Sequence, residues 1–131
     1  MHEWALAEAI VEAVCGYLSK RGVNRVASLK VAVGELQSVD EGILRFAVEE
    51  LFKGRGVEVS SLVFEKEPAV FRCNSCGRTW RLEDLGIPED AREAIHFIPE
   101  VFHVFARCPH CGSQDLEIIQ GRGVYIGSLE L

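Results

Sequence analysis

The sequence predicts an α+β fold, in which a small α/β domain is interrupted by a second, cysteine-bearing module. Three observations lead to this prediction. Residues 3–65 alternate between helical and strand-like spacing of apolar side chains. All cysteines but one then fall between residues 73 and 111, and a strand-like segment, LEIIQGRGVYIGSLEL, closes the chain. A chain of 131 residues that is 48% hydrophobic suits one packed domain or two small ones.

The first helix is expected to span residues 3–20. Apolar side chains recur there at spacings of three and four residues: Trp4, Ala7, Val11, Val14 and Leu18. Gly22 follows, and glycine commonly ends a helix because it tolerates positive φ. Residues 26–34 then alternate in polarity, which predicts a strand that is covered on one face. The apolar residues on that face are Leu29, Val31 and Val33.

A second helix is expected to begin at Ser38 and Glu41, which have capping-box spacing, and to end at Gly54. Its apolar stripe consists of Leu44, Val48 and Leu51. A second strand, residues 57–65, follows. The closing segment is expected to return to the same sheet, because three strands bury more apolar surface than two. The predicted α/β domain therefore has two helices on a three-stranded sheet.

The module inserted into this domain, residues 69–116, carries two CxxCG units. They are Cys73-Asn-Ser-Cys76-Gly77 and Cys108-Pro-His-Cys111-Gly112, with 31 residues between the pairs. Zinc takes four ligands in a tetrahedron, and a CxxC turn presents two thiolates to one side of the ion. The glycine after each pair stands where such a turn needs positive φ. The pattern predicts a zinc-ribbon-like module with a structural four-cysteine site, and leaves residues 1–68 and 117–131 to the α/β domain.

This ligand set also limits the chemistry of the zinc. With four cysteines bound, no position is open for a reacting water, so a catalytic zinc and an enzyme are not expected. His110, inside the second CxxC unit, is an alternative ligand that could displace a cysteine.

Charge and hydropathy exclude several other classes. The formal charge of −6 opposes binding to nucleic acid, which depends on neutralising phosphates with Lys and Arg. No apolar stretch is long enough for a membrane span, and the N-terminus lacks the layout of a signal peptide. We therefore expect a cytoplasmic protein, where paired cysteines indicate a metal more often than a disulfide.

The first three residues, Met1-His2-Glu3, form a potential chelator. The α-amine and the His2 amide nitrogen close a five-membered ring around a metal, and the same amide and the imidazole close a six-membered one. Square-planar nitrogen ligation is typical of Cu(II) and Ni(II). A fourth nitrogen could come from the Glu3 amide or from a distant histidine. The alternative is an ordinary helix start, at which Glu3 interacts favourably with the helix dipole.

Two further histidines lie in the insert, within AIHFIPEVFHVF. A histidine in such an apolar setting is often a core residue with satisfied hydrogen bonds. His96 could nevertheless supply the imidazole that a tridentate N-terminus lacks. His103 is expected to be a core or surface residue.

Five motifs together resemble the HypA family, the nickel-incorporation accessory proteins of [NiFe]-hydrogenase maturation. They are MHEWALA, the VGEL of Val33–Leu36, the FxCxxCG of Phe71–Gly77, the CPxCGS of Cys108–Ser113 and the GRGVY of Gly121–Tyr125. The resemblance covers the whole chain, and the long spacing between the cysteine pairs resembles the archaeal form of the family.

The resemblance implies a nickel metallochaperone with a nickel-binding α/β domain and a zinc-binding domain. His2 matches the essential nickel ligand, with the Met1 amine beside it, and Glu3 matches the same motif. His96 matches a histidine that can complete the nickel site. The implied zinc ligands are Cys73, Cys76, Cys108 and Cys111.

The resemblance also implies partners, namely a HypB-type GTPase and the hydrogenase large subunit. The chain itself contains no GxxxxGK(S/T) loop that would bind nucleotide phosphates. We expect a monomer or weak dimer. The alternative is a zinc-ribbon adaptor or nucleic-acid-binding module with no second metal.

Overall fold

The computed structural model describes residues 3–37 and 39–131. In chain order the elements are α1 Glu3–Arg21, β1 Arg25–Gly34, α2 Glu41–Gly54, β2 Glu58–Glu67, β3 Val70–Cys73, β4 Thr79–Arg81, α3 Glu89–Phe97, α4 Phe102–Phe105, β5 Leu116–Gln120 and β6 Val124–Glu130, with short 3₁₀ helices at Leu82–Leu85 and Pro99–Val101. Two separate three-stranded sheets confirm the predicted α+β class. Within the described part of the chain, no helix is long and apolar enough to cross a membrane.

The chain divides into two compact units. Unit 1 comprises Met1–Ala32, Val39–Glu65 and Val124–Leu131, and unit 2 comprises Val33–Ser38 and Lys66–Gly123. Unit 2 holds both CxxC pairs. The predicted domain boundaries stay a prediction; in the structure, residues 33–37, 66–68 and 117–123 fall in the compact unit that holds the cysteines.

The first sheet has the strand order β2-β1-β6, so the closing segment returns to it as predicted. Ion pairs show that β1 and β2 are parallel. Arg25 Nε lies 3.3 Å from Glu58 Oε2 where both strands begin, and Lys30 Nζ lies 3.2 Å from Glu65 Oε1 further along both. A parallel pair needs a crossover connection, which α2 supplies.

The third strand, β6, runs antiparallel to β1. The Gly34 amide at the end of β1 donates to the Gly123 carbonyl just before β6, at 2.7 Å. Gly127, further along β6, lies against Lys30, earlier in β1. Later residues of β6 thus lie beside earlier residues of β1, so these two strands are antiparallel. Because β1 and β2 are parallel, the sheet is mixed.

The predicted apolar stripes form most of the core of unit 1, where α1 packs against α2. The buried residues are Ala7, Ile10, Val11, Val14, Leu18, Val26, Leu29, Val31, Leu44, Ala47, Val48 and Phe52. Trp4, which the helical spacing assigns to the stripe, is 38% exposed. Its ring instead packs edge-on against Phe46, with centroids 6.3 Å apart. Val33 and Leu51 are half-buried.

The start of α2 differs from the predicted capping box. Asp40 is the N-cap residue, and its Oδ1 accepts a hydrogen bond from the Ile43 amide at 3.1 Å. Glu41 is then the first helical residue rather than the third, so it does not have the capping-box position. Ser38, the other half of the predicted pair, lies outside the described residues. An aspartate satisfies the free amides of a first turn as well as a serine does.

Unit 2 contains the second sheet, with the antiparallel order β4-β3-β5. Phe71 in the central strand pairs with Trp80 on one side and Ile118 on the other. The two short helices, α3 and α4, lie in the connection between β4 and β5. Their buried faces contribute Ala91, Ile95 and Phe102 to one core, together with Leu36, Ala69, Phe71, Cys73, Leu82, Ile87, Ala106, Cys108 and Leu116.

Backbone hydrogen bonds explain why the VGEL segment belongs to unit 2. The Leu36 amide donates to the Gly121 carbonyl at 2.9 Å, and the Glu35 amide donates to the Glu67 carbonyl at 2.8 Å. The side chains reinforce this link, since Glu35 Oε1 accepts from the Ala69 amide and Glu67 Oε1 from the Gly121 amide, at 2.8 and 2.9 Å. Three segments distant in sequence are therefore tied together.

Gly121 is expected to be indispensable for this junction. A Cβ atom there would lie 2.4 Å from Ala69 Cα, and the residue has a φ of +89°. We expect Gly121→Ala to lower the free energy of unfolding by about 2–4 kcal/mol, from overlap and backbone strain together. Gly123→Ala is the matched control, because nothing lies within 4 Å of its Cβ position. Equal urea midpoints for the two variants would contradict this account.

Candidate metal centre

The four sulfurs of the CxxC pairs converge in unit 2. All of them lie within 4.8 Å of one another. Sγ of Cys73 is 3.5 Å from Sγ of Cys111, and Sγ of Cys76 is 3.7 Å from Sγ of Cys108. Four sulfurs at about 2.3 Å from a central zinc would form a tetrahedron with edges of about 3.8 Å. The cluster therefore fits a four-coordinate structural zinc.

Each pair sits in the same kind of tight turn. The Gly77 amide donates to the Cys73 carbonyl at 2.7 Å, and the Gly112 amide donates to the Cys108 carbonyl at 2.9 Å. The two glycines have φ values of +80° and +75°. Nothing lies within 4 Å of either Cβ position, so each turn requires glycine for its backbone conformation and not for space.

Polar residues beside the cysteines fasten one turn to the other. The Asn74 backbone and side-chain amides donate to the Asp115 carbonyl and Oδ1, at 2.9 and 3.1 Å. The hydroxyls of Ser75 and Ser113 are 2.9 Å apart. Sequence reasoning missed these four residues. Their only signal is that they are polar and lie inside or just after a CxxC unit.

The surroundings distribute protons unevenly over the thiols. Burial raises the pKa of the Cys108 thiol, but hydrogen bonds from the Cys111 and His110 backbone outweigh it and lower that pKa to about 6. A backbone hydrogen bond from Ser113 lowers the pKa of Cys111, but hydrogen bonding to Cys73 together with burial raises it to about 12. Binding of a metal dication requires thiolates, so it releases the protons that remain.

The histidines of the insert differ in their surroundings. His96 lies on α3, and its Nε2 is buried without a hydrogen-bond partner among the described residues. His103 is exposed and stacks on Phe102, with ring centroids 4.0 Å apart. His110 is also exposed and does not belong to the sulfur cluster.

Of the predicted N-terminal chelator, the structure describes Glu3, whereas Met1 and His2 lie outside the described residues. Glu3 is the first residue of α1. Its Oε1 accepts a hydrogen bond from the Asp40 amide at 3.1 Å. The carboxylate therefore connects the first turn of α1 to the N-cap of α2.

This chain matches known proteins over nearly the whole length of both sequences. Residues 1–131 match the family described as hydrogenase/urease nickel incorporation, metallochaperone, hypA. The chain belongs to the HypA family. It is 53% identical to hydrogenase maturation factor HypA of Pyrococcus furiosus, over 98% of this chain and 94% of that one. It is 32% identical to the factor of the same name from Methanopyrus kandleri, over 100% and 93%.

A solved structure supports the fold independently. The solution structure of the Ni metallochaperone HypA from Helicobacter pylori matches with a TM-score of 0.64 over 100% of this chain and 97% of that one. The sequence identity is 19%, so this likeness concerns the fold alone. Family membership confirms the predicted function: the chain is a nickel metallochaperone of [NiFe]-hydrogenase maturation, with a four-cysteine site of zinc type, and not an enzyme.

Proposed function

We propose that this HypA-family protein binds one Ni(II) at its N-terminus and delivers it to the large subunit of [NiFe]-hydrogenase. The observation that carries the proposal is the Met1-His2-Glu3 start of a chain that matches a nickel-incorporation family over its whole length. The Met1 amine, the His2 amide nitrogen and the His2 imidazole would provide three nitrogens of a square plane. The protein would receive nickel from a HypB-type GTPase and act in the cytoplasm as a monomer or weak dimer.

Glu3 has a positional role in this proposal. Its carboxylate accepts from the Asp40 amide and so fixes the residue that directly follows Met1 and His2. The Glu3 backbone nitrogen remains an alternative fourth ligand, whereas its side-chain oxygens are hard donors that suit a square-planar nickel site less well than nitrogen does.

We assign the fourth nitrogen to His96. Its buried Nε2 has no hydrogen-bond partner among the described residues, and such a polar atom calls for a partner, which a metal ion would supply. A ligand on a separate element also offers a release step, since withdrawing His96 would open the coordination plane.

Zinc would be held by Cys73, Cys76, Cys108 and Cys111. A filled tetrahedron leaves no position for a substrate, so this ion would stabilise unit 2 and not take part in delivery. The turns and the Asn74–Asp115 hydrogen bonds would orient the thiolates before the metal arrives.

Transfer to the acceptor tests the proposed function. Untagged protein loaded with one nickel is mixed with metal-free hydrogenase large subunit, and the two are separated and assayed for nickel. We expect nickel to move to the large subunit while zinc stays with the chaperone. Nickel that stays on the loaded protein, or moves equally to a protein without a nickel site such as lysozyme, would contradict delivery.

His96→Ala is expected to weaken nickel binding by at least about tenfold, a loss typical of disturbing the shell of a metal site. His103→Ala is the matched control, because this exposed imidazole belongs to the same segment and stacks on Phe102. Isothermal titration of both variants beside the wild type measures the difference. Nickel affinities that agree for all three proteins would remove His96 from the ligand set.

A further inference from the structure

The connection between β4 and β5 combines strong negative charge with exposed apolar side chains. Residues 82–105 hold six carboxylates and a single arginine. Four large apolar residues in the same segment are exposed: Phe97 (83%), Val104 (72%), Ile98 (52%) and Phe105 (43%). We call these four residues the insert patch. They lie on α3, directly after it, and on α4, which contacts α3.

The insert patch is not part of the core of unit 2. The buried faces of α3 and α4 already supply Ala91, Ile95 and Phe102 to that core. Phe97 and Val104 are therefore additional apolar surface that faces solvent. Exposed apolar patches that are rimmed by polar groups commonly mark interaction sites.

The carboxylates nearest to the patch are available to a ligand. A groove of about 510 Å³ is lined by Asp90, Glu93 and His96 together with the apolar residues Ala94, Phe97, Ile98 and Val101. Asp90 and Glu93 form no ion pair among the described residues, whereas Glu83 pairs with Arg81 and Glu100 with Arg122. The groove thus offers apolar contacts and two carboxylates that have no ion-pair partner among the described residues.

We propose that the insert patch docks a cationic amphipathic segment of a partner protein, in the manner of a helix in a groove. The negative charge of the groove determines which kind of ligand can bind there. A second copy of this chain would bring the same carboxylates face to face, and the whole chain has a formal charge of −6. An anionic lipid surface would be repelled for the same reason. Apolar anchors flanked by Lys or Arg satisfy both features of the groove.

No residue of the insert patch is a proposed metal ligand, but His96 lines the same groove, so peptide binding is measured on protein without nickel. The test uses the full-length, untagged protein and a fluorescent amphipathic peptide of leucine and lysine, with binding followed by anisotropy. The Phe97→Ser/Val104→Ser variant is expected to bind this peptide at least about tenfold more weakly than the wild type. Asp90→Asn/Glu93→Gln is expected to weaken binding as well and to reduce its dependence on salt.

Val63→Ser/Tyr125→Ser is the matched control, because both residues are exposed apolar positions of unit 1, at 38% and 50%. It should bind the peptide as the wild type does, and a leucine–glutamate peptide should not bind at all. Unchanged binding by Phe97→Ser/Val104→Ser, with zinc content and thermal midpoint intact, would overturn the proposal. So would adsorption of the wild type to phosphatidylglycerol vesicles, or a wild-type dimer that this variant converts to a monomer in sedimentation equilibrium.

Discussion

Replacing His2 with alanine is expected to abolish tight nickel binding and to leave the zinc content unchanged. The substitution removes the imidazole and with it the six-membered chelate ring, so that an amine and an amide remain. An amide nitrogen loses its proton to Ni(II) far less readily when no second ring anchors the ion. We expect nickel affinity to fall by about a hundredfold or more, which is about 2.7 kcal/mol or more. Isothermal titration with untagged protein measures this loss, and elemental analysis measures the zinc.

Two controls make this result specific. His110→Ala removes an exposed imidazole from the second CxxC unit and should keep full nickel affinity. Acetylating the Met1 α-amine should impair nickel binding as His2→Ala does, because a poorly coordinating amide nitrogen then replaces the amine in the five-membered chelate ring. Equal nickel binding by wild type and His2→Ala would locate the nickel site elsewhere in the chain, while zinc lost together with nickel would point to a folding defect.

Replacing Cys108 with serine is expected to remove zinc and to unfold unit 2. Its sheet has strands of four, three and five residues, and Cys73 and Cys108 are themselves members of its buried core. Such a small unit depends on its metal, and zinc binding in comparable modules contributes about 10–16 kcal/mol to folding. Hydrogen exchange should become fast in residues 66–123 and stay slow in α1 and α2, which have a core of their own.

Cys15→Ser is the matched control for this experiment. Cys15 lies half-buried on α1, outside the sulfur cluster, so its replacement should leave both zinc content and hydrogen exchange in unit 2 as they are. A Cys108→Ser variant that retains one zinc per chain would show that Cys108 is not a required ligand, whereas one that loses zinc and keeps slow exchange in unit 2 would show that zinc does not hold this unit together.

Much of the secondary structure could be predicted because a helix or strand with one buried face has apolar residues at regular spacing in the sequence. Ala7, Val11 and Val14 are separated by four and three residues, about one helical turn each, and all three are buried in α1. The cysteine cluster was predictable for a related reason, since a CxxCG turn sets its geometry within five residues and zinc dictates how two such turns combine.

Contacts between distant segments produce no such local pattern in the sequence. VGEL reads as the end of a strand, yet Leu36 belongs to the core of unit 2, because its amide and that of Glu35 find carbonyl partners at Gly121 and Glu67. The cap of α2 was ambiguous for another reason: serine and aspartate both suit an N-cap, and the start of the helix selects Asp40.

Residue type and local spacing are enough to establish the fold class, the presence of a four-cysteine cluster and the family. They are not enough to separate core from surface among the apolar residues of the insert, which depends on packing in three dimensions. Ile95 and Phe97 are two positions apart and equally apolar, but the first is buried and the second is 83% exposed. Helix geometry points them in different directions, and which direction meets a core is fixed by β3 and β5, whose sequences lie elsewhere in the chain.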